Sequence, residues 1–338
     1  MANLPFVRKG IAAIATLFAA SAVAHAGSLT IYTALEEDEI ADYVAQAKKD
    51  LPDIELNVLR LSTGDIVARI LAEANNPRHD IIWGTALTNM LDPRILDMLE
   101  PYAPEGIDKL PDRYKDPENR WFAATGYMAA FCVNTAELEA RNIDMPTSWE
   151  DLTKPEFKGE ILMPSPVSSG TGYLQIAGIL QGLGEDKGWE FLKKMGDNVA
   201  QYTKSGSAPC KSARSGEYMV GISLAFAGIQ SVEEGFPVKM IIPSDYVGYE
   251  LEASAIMKTS NNKEDAKRFM DWTLSDAISP IYGKYKEIVT IPGTPLSKGA
   301  EMAGLPADLS DVLYPMDFAQ SAKDRERILN TWEKEISK

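Results

Sequence analysis

Leu29-Thr30-Ile31-Tyr32, Ile54 to Leu61 and Asp80-Ile81-Ile82-Trp83 are three short apolar segments of strand length. Between the first two, Ile40, Tyr43, Val44, Ala47 and Leu51 recur at helical spacing over Glu36 to Leu51, and Pro52-Asp53 stops the run. Between the second and third, Ser62-Thr63-Gly64-Asp65 sets a serine three residues before an acid, a helix-start pattern. Ile66, Ile70, Leu71 and Ala74 then give that helix its apolar face. Strand, helix, strand, helix, strand with short links predicts a parallel sheet covered by helices. Such sheets bind ligands beyond the carboxyl ends of their strands. That rule selects Thr33 to Glu37, Ser62-Thr63 and Gly84-Thr85. They offer hydroxyls, glycine and backbone amides, although capping is the commoner role of such hydroxyls.

The rest of the chain repeats the pattern. Trp121 to Asn134 is a long apolar stretch interrupted by Gly126, suited to carry the chain from one lobe into another. Thr147-Ser148-Trp149-Glu150 is a second capping-box pattern. Gly159 to Met163 reads as a strand, and Tyr173 to Leu183 is so uniformly apolar that it predicts a buried helix. Val220 to Phe226, Val238 to Ile242 and Leu251 to Met257 read as strands, the last returning to the first lobe. Lys263 to Leu274 and Asp324 to Ile336 read as helices. The expectation is an α/β fold of two lobes with a ligand cleft between them. Residues 27–125 with about 245–290 form one lobe, and 126–244 with about 291–338 the other.

Arg8 and Lys9, the apolar run Gly10 to Ala24 and the site Ala24-His25-Ala26 read as a secretory signal peptide over residues 1–26. The run falls short of the roughly 18 apolar residues a membrane span needs. The mature chain is therefore expected in the periplasm, starting at Gly27. Apolar residues make up 45% and charged residues 25%, a globular balance. The net charge of -15 argues against a nucleic-acid partner and against an anionic membrane surface. It leaves room for a small anion held by helix N-termini and hydroxyls. Cys132 and Cys210 are the only cysteines. In an oxidising compartment they can form one bridge, or stay two buried thiols.

The most informative motif is Ser168-Ser169-Gly170-Thr171 at the head of the buried helix. A helix N-terminus presents unpaired N–H groups and partial positive charge, glycine allows close approach, and hydroxyls add donors. No lysine follows in the Walker pattern, so this is a phosphate- or phosphonate-type cradle without a P-loop. Read blandly, it is an ordinary capped helix. Lys204-Ser205-Gly206-Ser207-Ala208-Pro209 is a second small hydroxyl-rich loop, expected to face the first across the cleft. Glu36-Glu37-Asp38-Glu39 suits a helix N-terminus, and one of its carboxylates can pair with a ligand cation. Tyr32, Trp83 and Tyr249 are candidate walls or hydroxyls. Catalytic readings fare poorly: the mature chain keeps one histidine, His79, and shows no HExxH, paired-cysteine or dinucleotide motif. An exported hydrolase using paired acids is the competing class, since acids are plentiful.

In order, Leu29 to Glu36, Ser62 to Asp65, Asp80 to Gly84, Ser168 to Thr171 and Glu233-Glu234-Gly235-Phe236-Pro237-Val238-Lys239 resemble periplasmic solute-binding proteins of ABC importers. The resemblance runs over essentially the whole mature chain. It falls in the branch shared by ferric-iron, thiamine and phosphonate binders, and within it is closer to the 2-aminoethylphosphonate binders. It implies the periplasmic binding protein fold, two α/β lobes joined by crossover strands. It also implies no catalysis, no cofactor, a monomer, a small zwitterionic phosphonate as ligand and an inner-membrane ABC permease as partner. Another phosphonate, a phosphate ester or thiamine are alternative cargoes for the same clamp. Ferric binders carry a histidine in the first loop, a glutamate after the third strand and adjacent tyrosines in the second lobe. Glu36, Ala86 and Ala225-Phe226 stand there instead, so no metal is expected. Thr33, Ser62, Thr63, Ser168, Ser169, Gly170, Thr171 and Ser207 are the implied phosphonate ligands. Glu36 with Tyr249 takes the amine, Asp245 and Glu250 stand next in line, and Tyr32 and Trp83 wall the cleft.

Overall fold

The three opening strands form the parallel sheet that the spacing predicts. β1 (Gly27–Thr33) lies between β2 (Ile54–Arg60) and β3 (Ile81–Ala86), paired parallel to both. The helices Glu37–Asp50 and Thr63–Ala72 make the returns. Successive residues of a strand point to opposite faces, and here both faces are covered. Leu29, Ile31 and Trp83 join one core with Tyr43 and Ala47, while Tyr32 and Ile82 join another with Ile66 and Ile70. The computed structural model describes residues 27–306, 308–309 and 312–337, so the expected signal peptide lies outside the described residues.

β4 (Leu99–Glu100) is a short edge, and the long apolar stretch becomes β5 (Phe122–Asn134), buried throughout. β6 (Ile161–Pro164), β7 (Val199–Thr203), β8 (Val220–Leu224) and β9 (Val238–Ile241) build a second sheet. β10 (Tyr249–Met257) then returns antiparallel to β3 and β5, and β11 (Ile288–Val289) adds to β5. The path runs β2-β1-β3-β10-β5-β8-β6-β7. β5 is the strand the two sheets share: up to Met128 it pairs with β10, and from Ala129 it pairs with β8. Gly126 permits the crossing, because a Cβ there would sit 2.6 Å from the Glu250 carbonyl oxygen.

Two local expectations need correction. Thr147-Ser148 starts no α-helix: the Asp151 carboxylate accepts their backbone N–H groups, and only the 3-10 turn Glu150–Thr153 follows. Pro155, just beyond, lacks the N–H an extension would need. The last helix starts earlier than its apolar spacing suggested, at Phe318, because Asp317 accepts from the Gln320 N–H and caps it.

Cys132 on β5 is bonded to Cys210 in the helix Ala208–Arg214, with Cα atoms 5.2 Å apart. Closing a loop of this separation, 78 residues, restricts the unfolded chain. Breaking it with Cys132→Ala/Cys210→Ala should cost roughly 2–4 kcal/mol. Thermal melts with and without reductant check this, and equal melting temperatures would show the bridge to be energetically idle.

Candidate ligand-binding site

The carboxyl ends of β1, β2, β3 and β6 and the loop after β7 meet above the crossover strands, enclosing a chamber of about 40 Å³. One side is the head of the Gly170–Leu183 helix. Ser169 caps it, its Oγ accepting from the Gly172 N–H at 3.3 Å. The preceding amides have no intrahelical acceptor, and Gly170 and Thr171 line the chamber. Gly206 lies against this turn, where a Cβ would fall 2.2 Å from Thr171 Oγ1 and 3.2 Å from Ser169 Oγ. The two hydroxyl loops therefore lie side by side, following the neighbouring parallel strands β6 and β7, and do not face each other across the cleft as expected.

What faces them is the head of the Thr63–Ala72 helix. The Gly64 N–H donates to the Ser168 carbonyl at 2.8 Å. A Cβ on Gly170 would stand 3.0 Å from Thr63 Oγ1 and 2.7 Å from the Tyr127 hydroxyl. Ser62 is the N-cap residue by position, but its side chain makes no cap bond and lines the chamber.

The charged groups gather at the rim and floor. Glu36 accepts from Arg60 Nη2 at 3.2 Å and from Ser207 Oγ at 2.9 Å, the second bond joining the two sides. Deeper, Lys286 Nζ lies 2.8 Å from Glu39 and 2.7 Å from Glu252, all three buried. Glu39 also accepts from the Glu36 N–H at 2.6 Å and from the Tyr43 hydroxyl, and Thr125 Oγ1 donates to Glu252. Burial pushes Glu39 up to about 7; Lys286 pulls it back only in part, and Glu252 adds to the rise. Burial opposes the charge on Lys286, yet Glu252 and Glu39 together hold it well above the usual lysine range. Burial also lifts the Tyr127 hydroxyl well above the tyrosine range, keeping it a donor. Both cations lining the chamber, Arg60 and Lys286, are thus tied to its own carboxylates.

Of the residues singled out from sequence, Glu36, Ser62, Thr63, Ser169, Gly170 and Thr171 line the chamber. Ser207 reaches it through Glu36. Ser168 turns its hydroxyl to the Lys204 carbonyl. Thr33 is fully buried and accepts from the Leu35 N–H, shaping the turn. Tyr32 and Trp83 are not cleft walls. Tyr32 stacks on His79 at 4.2 Å and bonds Glu73 and Arg69, while Trp83 packs among Tyr43, Phe269 and Trp272. Both sit within strands and point to sheet faces, whereas the chamber lies beyond the strand ends. Tyr249 packs edge-on against Phe318. Asp245 accepts from the Trp149 N–H, and Glu250 accepts from Thr88 and the Leu251 N–H, so neither faces the chamber. The sequence reading missed Arg60, Tyr127, Glu252 and Lys286. A usable signal existed for the last two: they are charges set inside or beside buried strands, and such residues are rarely buried unless paired.

Residues 80–301 match the family described as bacterial extracellular solute-binding protein. The chain belongs to this family. It is 32% identical to the periplasmic binding protein AfuA from Actinobacillus pleuropneumoniae, solved with exogenous fructose-6-phosphate bound. The TM-score is 0.85, and the match covers 92% of this chain and 99% of that one. It is 26% identical over 301 residues to a probable ABC transporter periplasmic-binding protein, y4fP, of Sinorhizobium fredii, covering 86% of this chain and 82% of the relative. A ferric binding protein from Campylobacter jejuni, 21% identical with a TM-score of 0.74 over 90% of this chain and 98% of that one, shares the fold. The architecture is the two-lobed periplasmic binding protein fold, and the binding protein is the substrate-binding component of an ABC transporter. Among the described residues no helix is long and apolar enough to cross a membrane, and no group of three or more His, Cys, Asp or Glu could hold a metal ion.

Proposed function

We propose that this binding protein captures a small zwitterionic phosphonate of the 2-aminoethylphosphonate kind and delivers it to an inner-membrane permease. The lobes are residues 27–125 with about 245–290 and 126–244 with about 291–338, and they close by a hinge in the crossover strands. One observation carries the reading: the chamber pairs a cradle of neutral donors with an excess of carboxylate. Three acids, Glu36, Glu39 and Glu252, line it against two bases, Arg60 and Lys286. With both bases engaged, an oxyanion is met by helix amides and by the hydroxyls of Ser62, Thr63, Tyr127 and Thr171. A ligand ammonium then offsets the carboxylate excess.

A hexose phosphate is the second reading, favoured by the likeness to AfuA with its bound fructose-6-phosphate. Sugar hydroxyls would donate to the carboxylates in place of an ammonium. Calorimetric titration with 2-aminoethylphosphonate, ethylphosphonate and fructose-6-phosphate separates the two. The first should bind tightest, and tighter binding of fructose-6-phosphate would replace the first reading with the second. Thr171→Ala should remove a charge-assisted hydrogen bond and weaken the preferred ligand by roughly 1.5–3 kcal/mol. The melting temperature of the unliganded protein should hold, because Ser169 and not Thr171 caps the helix. Unchanged affinity would show the helix head to be structural.

A further inference from the structure

We infer that Glu252, and not Glu36, is the carboxylate that selects the ligand's ammonium, an assignment that rests on the phosphonate reading above. Spare lone pairs, burial and placement together single it out. A carboxylate oxygen accepts two hydrogen bonds. Glu39 is saturated: one oxygen takes the Glu36 N–H and Lys286, the other takes the Tyr43 hydroxyl and Lys286. Glu36, like Glu252, has one donor on each oxygen, Arg60 on Oε1 and Ser207 on Oε2, so what sets it apart from Glu252 is exposure, 16% against 6% for the two side chains, and its place across the chamber. Its bond to Ser207 spans the two sides of the chamber, which makes Glu36 part of the closure. Glu252 has one donor on each oxygen, Lys286 on Oε1 and Thr125 on Oε2. Each oxygen therefore keeps a lone pair to spare, on a side chain that lines the chamber and is only 5% exposed.

Placement agrees with this. Glu252 is the register partner of Ala86 across β10 and β3, strands about 4.8 Å apart. A Cβ on Gly170 would stand 3.4 Å from that of Ala86. The oxyanion cradle and Glu252 are thus neighbours of the same residue. In 2-aminoethylphosphonate a P–C bond and then C–C and C–N bonds of roughly 1.5 Å each separate phosphorus from nitrogen, a reach of the same order. Lys286, Thr125 and the β10 backbone hold the carboxylate in place. An ammonium in a water-poor chamber depends on such a partner, since an unpaired buried charge is costly.

The test titrates 2-aminoethylphosphonate and ethylphosphonate into wild type, Glu252→Gln and Glu36→Gln. Glu252→Gln should lose at least about 30-fold in affinity for the amine ligand and less than about threefold for ethylphosphonate. Glu36→Gln should weaken both ligands by the same factor. Glu252→Asp keeps the charge for Lys286 and serves if the glutamine variant does not fold; its loss should again be confined to the amine ligand. Equal losses in the Glu252 variants, or the split appearing in Glu36→Gln, overturn the assignment while leaving the ligand reading intact. Wild type that binds fructose-6-phosphate but neither phosphonate overturns both.

Discussion

Gly170→Ala and Gly64→Ala should each cost the protein most of its ligand affinity while leaving the melting temperature of the unliganded form nearly unchanged. Both glycines stand where the two sides of the cleft meet. A methyl on Gly64 would fall 2.1 Å from the Val167 carbonyl oxygen, a backbone atom that cannot swing aside. A methyl on Gly170 would meet the Tyr127 hydroxyl at 2.7 Å and Thr63 Oγ1 at 3.0 Å, and would intrude on the space assigned to the oxyanion. Overpacking of this kind costs typically 1–3 kcal/mol. Since 1.4 kcal/mol is tenfold, affinity should fall about 5- to 150-fold. Stability should hold because the contacts of Gly64 with Val167 and of Gly170 with Thr63 join the two lobes and do not lie in the core of either, and alanine is the better helix former. Calorimetry on both variants, with melts of the unliganded proteins, measures the two quantities apart. Wild-type affinity in both would mean that the lobes do not close on the ligand at this chamber.

Why some of this was legible in sequence and some was not follows from where each residue sits. The strand-helix alternation from Leu29 to Trp83 is local, so periodicity revealed it, and the strand-end rule then pointed to Ser62 and Thr63. The helix head at Ser169 to Thr171 was readable for the same reason, a glycine and hydroxyls directly before an apolar run. Tyr32 and Trp83 misled because they lie within β1 and β3, where an aromatic packs on a sheet face under the helices, and only the residues beyond the strand ends reach the chamber. Lys286, Glu252 and Tyr127 are remote from the opening motifs in sequence and meet only through the crossover of β5 and β10. That pairing is tertiary, and no local pattern encodes it. Even so, Glu250 and Glu252 inside an otherwise apolar strand, and Lys286-Glu287 beside Ile288, were conflicts between composition and burial. Such conflicts concentrate at functional sites.

Lys286→Met should be the most destabilising single change, and its cost should depend on pH. In the wild type one buried ammonium serves two buried carboxylates, Glu39 and Glu252. Removing one partner of a buried ion pair typically costs 3–5 kcal/mol, because the remaining charge is stranded. That is a large share of the 5–15 kcal/mol that holds a typical domain together. The sign with pH follows from the direction of the shifts. Burial raises Glu39 to about 7, and it raises Glu250 and Glu287 to about 7 against the pull of their hydrogen-bond donors. A carboxyl with a raised folded pKa binds more protons in the folded state. Its contribution is fully present below the unfolded value and is lost as pH rises through about 7. Buried His79, held down to about 4, works the other way as pH falls, but the three raised carboxyls outnumber it, so the wild type should be more stable at pH 5 than at pH 8. In Lys286→Met, Glu39 loses the cation that favoured its charged form, so the loss should be near its full size at pH 8. It should shrink at pH 5, where protonation turns the stranded Glu39 carboxylate into a neutral hydrogen-bonding group. Urea unfolding of both proteins at the two pH values measures this. A loss of equal size at pH 5 and pH 8 would mean that Lys286 acts through packing alone, and that its charge does not hold the floor of the chamber.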